Sequence, residues 1–569
     1  MVVAIIGIDL GTSNSVVAYW DGKEAKVIKN NLGKTLTPSV ISIDENGDLH
    51  VGEIARERLI SHPEYSVALF KRDMGTKKRI TLGSHTYLPE ELSSFVIRKL
   101  KEDAECFLKQ EVNEAVISVP AYFNDQQRRA TKRAAELSGL KVERLISEPT
   151  AAALSYGLHN QHEDSNFLVF DLGGGTFDVS ILEKFSGVIQ VRAIAGDNYL
   201  GGEDFTNAIF EYALSSQDLD RSDLTKSEEQ ILLKQSEKAK RLMNNSVETD
   251  LVFTVNNTER ITKLTRQKFE IIIEELALRL RAPILRAMND AHLSSNEIDA
   301  VVLVGGATKM SIIKKLVGKI VGQIPFSVVD PDHTVAIGTA IQAALKERDE
   351  NLKEIILTDV CPYTLGTEIV KQVENGHYED GYYYPIIERN TPIPVSIVRR
   401  LHTVVDNQTS IVINVYQGEH RLTKDNLKIG EINVKVPPAP AGEECIDVRY
   451  TYDINGILEV EVTTVSTGIK NRIIIDQSSG DLSLEEIESR LQELSSIKIH
   501  PRDEENNQLL ISRAERLYEE SLGDKRKYIE QLLDRFERVL DTQRTDIIKD
   551  VYLQLERELD LMERGNPFL

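Results

Sequence analysis

The sequence predicts a multidomain chain: a two-lobed α/β unit, then an all-β unit, then a helical C-terminal region. Three observations carry this. One strand–turn–strand device stands twice in the first half, at Asp9-Leu10-Gly11-Thr12 and at Asp171-Leu172-Gly173-Gly174-Gly175-Thr176. From Val360 the pattern changes to short alternating apolar runs separated by turn residues. From Ser483 onward the chain reads as charged amphipathic helices.

Each copy of the device follows an apolar β-branched run, Ile5-Ile6-Gly7-Ile8 or Leu168-Val169-Phe170, and leads into another. Glycine lets backbone N–H groups close around a phosphate, threonine adds a hydroxyl donor, and aspartate offers a hard oxygen to Mg²⁺ or its waters. One copy alone reads equally as an ordinary hairpin turn. Two copies point to related lobes holding one nucleotide between them.

The rest of residues 1–351 alternates strands with long helices, as α/β domains do. Glu114 to Val119 predicts a strand ending at Pro120. A helix follows with Asn124 as N-cap, Gln127 completing the capping box and Gly139 beyond its end. Pro149 opens a helix over Thr150 to Tyr156 and leaves Glu148 at its N-terminus. Ala300 to Val304 is a buried strand running into a third glycine turn, Gly305-Gly306. Helices are expected at Ser227 to Met243 and Thr265 to Asp290. After a charged stretch, Ile355-Ile356-Leu357 forms an apolar island that reads as a buried strand or as a linker that must dock.

In the all-β unit, Ile411 to Tyr416 and Glu431 to Val436 alternate, and Ile446 to Tyr452 pairs with Leu458 to Val462 through a turn at Asp453 to Gly456. Ser483 and Glu486 form a capping box, with Leu482 and Ile487 as a staple. Pro501 interrupts the helices. At 569 residues and 41% hydrophobic content the chain can bury several cores, and its net charge of −22 argues against nucleic acid or an anionic membrane as main partner. Three scattered cysteines suggest a reducing compartment, and no signal peptide or run of roughly 18 apolar residues appears, so a cytoplasmic protein is expected.

These motifs stand in order with Phe70-Lys71-Arg72, Ile117-Ser118-Val119-Pro120-Ala121-Tyr122-Phe123, Glu148-Pro149-Thr150-Ala151-Ala152-Ala153, Gly201-Gly202-Glu203-Asp204, Val304-Gly305-Gly306 and Asn390-Thr391-Pro392-Ile393-Pro394. Nearly end to end, the chain resembles the DnaK-type chaperones of the seventy-kilodalton heat-shock family, and within them the shorter HscC subgroup. The resemblance implies an actin-like (ribonuclease H-like) ATPase domain over 1–351, a linker over 352–360, a β-sandwich peptide-binding domain over 361–480 and a helical lid over 481–569. It implies ATP/ADP and Mg²⁺ as ligands, with a monovalent cation such as K⁺.

By matching position, Lys71 would orient the water that attacks the γ-phosphate, with Glu148, Asp171 and Thr176 beside it. Asp9, Asp171 and Asp178 would surround Mg²⁺ through its waters. Gly11, Thr12, Ser13, Asn14, Gly173, Gly174, Gly175, Gly201 and Gly202 would cradle phosphates. Glu237, Lys240 and Arg241 would hold the adenosine, joined by Asn244, Gly305, Gly306, Lys309 and Asp332. Lys309 replaces a usual arginine and Asn244 a usual serine, which puts nucleotide affinity in doubt. The segment Leu232 to Thr265 looks trimmed, which questions docking of the usual nucleotide exchange factor.

In the β-domain, Ile411 falls at the peptide pocket, flanked by Ile413 and Leu401, with Val370 and Val404 at the arch; a shallower pocket is expected. These aliphatics, read alone, are equally sandwich core. Val373 to Tyr384 looks like an insertion. Arg144, Ile355, Ile356, Leu357 and Asp359 correspond to positions that couple the halves and answer a J-domain co-chaperone. The implied partners are unfolded or extended client polypeptides. A sugar kinase shares the two-lobed core, but it has no need of the linker, β-unit and lid.

Overall fold

The computed structural model describes residues 5–142, 145–157, 164–185, 188–327, 330–346, 356–372, 378–454, 456–475, 498 and 500–563. They form two compact units, one of residues up to Thr364 with Glu388–Ile393, the other of Leu365–Ile387, Pro394–Asp476 and the C-terminal helices.

The first unit contains two sheets built on one plan. In the first, the hairpin Ile5–Asp9/Asn14–Trp20 is antiparallel, while Glu114–Val119 lies parallel to Ile5–Asp9 on its other side. In the second, the hairpin Ser165–Leu172/Phe177–Phe185 is antiparallel, with Ala300–Val304 parallel to its first strand. The duplicated sequence device is therefore a duplicated sheet, and each copy turns at the same end of its hairpin. Strand centres such as Ile6, Ile8, Leu168 and Phe170 are fully buried, which explains their continuous apolar runs.

Helix Thr334–Lys346 packs on both the first sheet and the helix Glu148–Gly157. It can do so because its contact face is small. A Cβ on Gly338 would lie 1.8 Å from the carbonyl oxygen of Ala151, and one on Gly7 would lie 2.3 Å from the amide nitrogen of Ala340.

Most expected elements stand where the sequence put them, including the Asn124–Gln127 capping box on helix Asp125–Leu137. The stretch read as one helix over 265–290 is two, Arg266–Arg279 and Arg281–Asp290. Pro283 has no N–H for the carbonyl four residues back and its ring crowds that turn, so the ladder breaks at Leu280. The apolar island is docked: Ile356–Thr358 adds as a parallel strand to the free edge of Val188–Asp197.

The second unit holds two four-stranded antiparallel sheets. One runs Tyr378–Ile387, Leu365–Gln372, Ser410–Gln417, Leu427–Lys435; the other Val395–His402, Cys445–Tyr452, Leu458–Thr464, Lys470–Ile475. Tyr450, fully buried, donates its hydroxyl across to the Gly366 carbonyl at 3.0 Å. The described part of the segment read as an insertion, from Tyr378, is a regular strand of a long hairpin, and Lys371 and Arg421 lie over the Tyr382 ring. Helices Glu505–Glu520, Gly523–Thr542 and Thr545–Glu563 bury Leu517, Phe536, Leu555 and Leu559 among themselves. The expected capping box at Ser483 lies outside the described residues.

Candidate active site

A cleft of about 1260 Å³ in the first unit is lined by Asp9, Gly11, Thr12, Ser13, Lys71, Glu148, Asp171, Gly173, Gly174, Thr176, Glu237, Lys240, Arg241, Gly305, Lys309 and Asp332, among others. Residues from seven separate stretches of sequence thus meet on one surface. Gly306 also lines it, and Gly175 and Gly201 lie against its turns: a Cβ on Gly175 would meet Thr12, one on Gly201 the backbone of Gly174, and one on Gly306 a carboxylate oxygen of Asp332.

The two hairpin turns are braced differently. In the first, the Ser39 hydroxyl donates to the Gly11 carbonyl at 2.7 Å and the Gly11 N–H donates to Ser15 Oγ at 3.2 Å. In the second, the amides of Gly202 and Glu203 donate to the carbonyls of Gly173 and Gly174 at 2.8 and 2.9 Å, so the helix Gly202–Ser215 seats the turn. The turns then touch each other: Ser13 Oγ donates to Glu203 Oε1 at 2.8 Å, and a Cβ on Gly174 would sit 2.0 Å from Ser13 Oγ. Only glycine fits there.

Lys71 reaches the cleft floor through an unusual backbone step. Strand Ser66–Ala68 ends at Leu69, which has φ +62°, and the following 3₁₀ turn directs Lys71 inward. A left-handed leucine costs on the order of 1 kcal/mol. The Lys71 ammonium lies 3.3 Å from Glu148 Oε1 and 5.5 Å from the Phe123 ring centre, with its side chain only 4% exposed. Its neighbour Arg72 forks onto Asp204, with one arm at 3.2 Å.

Around that ammonium stand the buried side chains of Glu148, Asp171 and Asp178 and the half-buried Asp9. Burial, then the Glu148 carboxylate, pushes Asp9 up from 3.8 to about 7, while Lys71 opposes. The same two causes push Asp178 up to about 8. Asp171 is raised well above the ordinary carboxylate range by burial, then by Glu148, Asp178 and Asp9. Ser118 donates to Asp9 at 3.0 Å and the Tyr122 N–H to Asp178 at 3.2 Å. This donor set, all hard oxygens, suits a divalent ion such as Mg²⁺. Among the described residues no group of three His, Cys, Asp or Glu side chains is placed to hold a metal ion together.

At the far end, Lys240 is buried and donates to the Gly202 carbonyl at 2.7 Å and Thr206 at 2.8 Å. Glu237 accepts from Thr206, and pairs with Lys240 at 2.5 Å and Arg241 at 2.7 Å. Burial opposes its ionisation, yet Lys240 and these hydrogen bonds hold it below its ordinary value. The Arg241 side chain is 73% exposed. Asn244 is a cap: its Oδ1 accepts from the Ser311 N–H at the start of helix Ser311–Val321. Lys309 pairs with Asp332 at 2.6 Å and Asp330 at 2.8 Å.

Protein-family comparison matches this chain to the Hsp70 protein family over residues 5–82 and 77–564. The chain belongs to the Hsp70 family. It is therefore an ATP-dependent chaperone in the general sense, of a family whose members are ATPases using ATP or ADP with Mg²⁺ and whose partners are unfolded polypeptides and co-chaperones. Among the described residues no helix of this Hsp70 protein is long and apolar enough to cross a membrane.

Of the residues expected at the peptide pocket, Ile413 is 1% exposed and packs as core, whereas Ile411, Leu401, Val370 and Val404 are half-buried. Arg144 and Ile355 lie outside the described residues. Asp359 lies beside the docked strand, where its carbonyl accepts from the Ile393 N–H at 3.0 Å. Sequence reasoning assigned no role to Phe123, Glu203, Asp204 or Asp290. Glu203, Asp204 and Phe123 sat inside quoted motifs, which was the available signal. Asp290, which takes Arg389 through two bonds of 3.0 Å, had none.

Proposed function

We propose that this Hsp70 protein hydrolyses ATP in the cleft to control binding and release of extended hydrophobic segments of unfolded clients in the cytoplasm. The supporting observation is Lys71, buried beside Glu148 at 3.3 Å among the carboxyls of Asp9, Asp171 and Asp178. Lys71 holds the attacking water in line and stabilises charge developing on the γ-phosphate, with Glu148 and Thr176 fixing that water's orientation. Asp9, Asp171 and Asp178 would hold Mg²⁺ through its waters, and the ion, when bound, offsets triphosphate charge. The glycine turns 11–14, 173–175 and 201–202 receive phosphates on backbone N–H groups. Arg241, exposed in the structure, covers the adenine face, and Asp332 closes the site with Lys309. K⁺ would add to the charge balance near Asp178.

In this reading residues 1–351 are the actin-like ATPase domain, 352–360 the linker, 361–480 the peptide-binding domain and 481–569 the lid. The docked strand Ile356–Thr358 supports a linker that signals by attachment and release. A J-domain co-chaperone would stimulate turnover at Arg144 and Asp359, and Ile411, Leu401, Val370 and Val404 would line a shallow client pocket. The subgroup resembled is the shorter HscC type. The test is Lys71→Ala. Single-turnover hydrolysis should fall by about 100-fold or more while ATP binding, followed by calorimetry, survives. Near-normal hydrolysis would refute the assignment.

A further inference from the structure

We propose that Tyr363 is a positioning residue for the hydrolytic centre, acting through the main chain of Tyr122. The inference rests on the ATPase reading above and adds to it a residue that touches neither nucleotide turn. The Tyr363 hydroxyl donates to the Tyr122 carbonyl at 2.6 Å, and the two rings lie 4.6 Å apart. Asn198 Nδ2 donates to the same carbonyl at 3.0 Å. Both lone pairs of that oxygen are thereby engaged.

The peptide so held has consequences on both sides. Its own residue sends the Tyr122 N–H to Asp178 at 3.2 Å. The next residue, Phe123, supplies the ring 5.5 Å from the Lys71 ammonium. Sideways escape is blocked, because the Gly196 position already lies so close that a Cβ there would meet Asp178 at 2.8 Å and Tyr122 at 3.2 Å. Gly196 stands on Val188–Asp197, the same strand that pairs with Ile356–Thr358. Five residues after that docked strand, Tyr363 therefore converts linker attachment into a fixed Tyr122–Phe123 peptide. Burial raises the phenol well above its usual range, so it stays a donor at working pH.

The test uses full-length protein, comparing wild type with Tyr363→Phe, which keeps the ring and removes only the hydroxyl. Single-turnover ATP hydrolysis should slow by roughly fivefold while the ATP dissociation constant changes less than twofold. Amide hydrogen exchange in residues 119–125 should quicken severalfold without nucleotide, and Asn198→Ala should shift both readouts the same way. Thermal unfolding of each variant verifies that it is folded. Wild-type rate and exchange in Tyr363→Phe would overturn the proposal and leave Tyr363 as ring packing alone. Should wild type itself hydrolyse no ATP, the ATPase reading fails separately, and the exchange comparison still decides whether Tyr363 holds Tyr122.

Discussion

Asp9 and Asp178 are acids whose folded forms hold protons that the unfolded chain would release. Burial and the Glu148 carboxylate raise them from 3.8 to about 7 and about 8. Between about pH 4 and pH 8 the native state binds more protons than the unfolded one, so stability falls as pH rises through that window. Their contribution is complete below about pH 4 and gone above about pH 8. The thermal midpoint of nucleotide-free, Mg²⁺-free protein should therefore decline from pH 5 to pH 8. Mg²⁺ with ATP should flatten the slope, since a cation favours the ionised carboxylates. A midpoint independent of pH in the nucleotide-free protein would contradict this account of the cleft. The carboxylates themselves were legible in sequence because glycine turns flag them. The inward aim of Lys71 was not, because it depends on a left-handed Leu69, a conformation no leucine advertises. Likewise, Ser13 meets Glu203 and Arg72 meets Asp204 across more than a hundred residues of chain. Such pairs are set by the closing of two lobes, which local pattern does not encode.

Strand–turn–strand periodicity predicted both hairpins because buried β-branched runs and glycine turns are local signals. It over-extended the helix at 265–290 because apolar spacing continues through Pro283 even though the hydrogen-bond ladder cannot. The helix Thr334–Lys346 drew no attention in sequence, since a run of alanines and a glycine carries little amphipathic contrast. Its importance lies in what it lacks. With Ala151 O only 1.8 Å from a Cβ at Gly338, the helix would have to move off Glu148–Gly157, the helix that carries Glu148. Gly338→Ala should destabilise the first unit by about 3 kcal/mol, at the upper end for overpacking because the clash is with backbone. Urea unfolding reads this directly. A loss below about 1 kcal/mol would mean the two helices separate more easily than their packing implies. A Gly201→Ala change works at the same scale on the turn. Its Cβ would lie 2.5 Å from the Gly174 backbone, so the turn would have to shift, and ATP affinity measured by calorimetry should drop at least tenfold.

At the scale of the molecule, the informative fact is that Glu388–Ile393 groups with the first unit although the strands on either side of it in sequence belong to the second. The segment is stitched there by several bonds. Arg389 forks onto Asp290 at 3.0 Å on each arm, Asn390 Nδ2 donates to Asp290 at 2.9 Å, and the Ile194 N–H donates to Asn390 Oδ1 at 3.0 Å. Cys361 exchanges backbone bonds with Thr391 and Asn390 at 2.9 and 2.8 Å, just beyond the docked Ile356–Thr358 strand. Asp290 is the shared acceptor that holds Glu388–Ile393 to the first unit, and on the proposed coupling of ATP to client release this loop, flanked in sequence by strands of the second unit, would carry part of the signal. A coupling free energy of this kind acts in both directions. Removing the carboxylate with Asp290→Ala leaves the cleft residues untouched, so basal ATP turnover should stay within about threefold of wild type. What should fail is the linkage: acceleration of labelled-peptide release on adding ATP, followed by fluorescence anisotropy, should fall by about tenfold, the effect of losing a half-buried, charge-assisted fork. Stimulation of turnover by peptide should fall in parallel, as reciprocity requires. Full ATP-driven release in Asp290→Ala would show that the signal travels through the docked strand alone and that the Arg389 fork only fastens the loop.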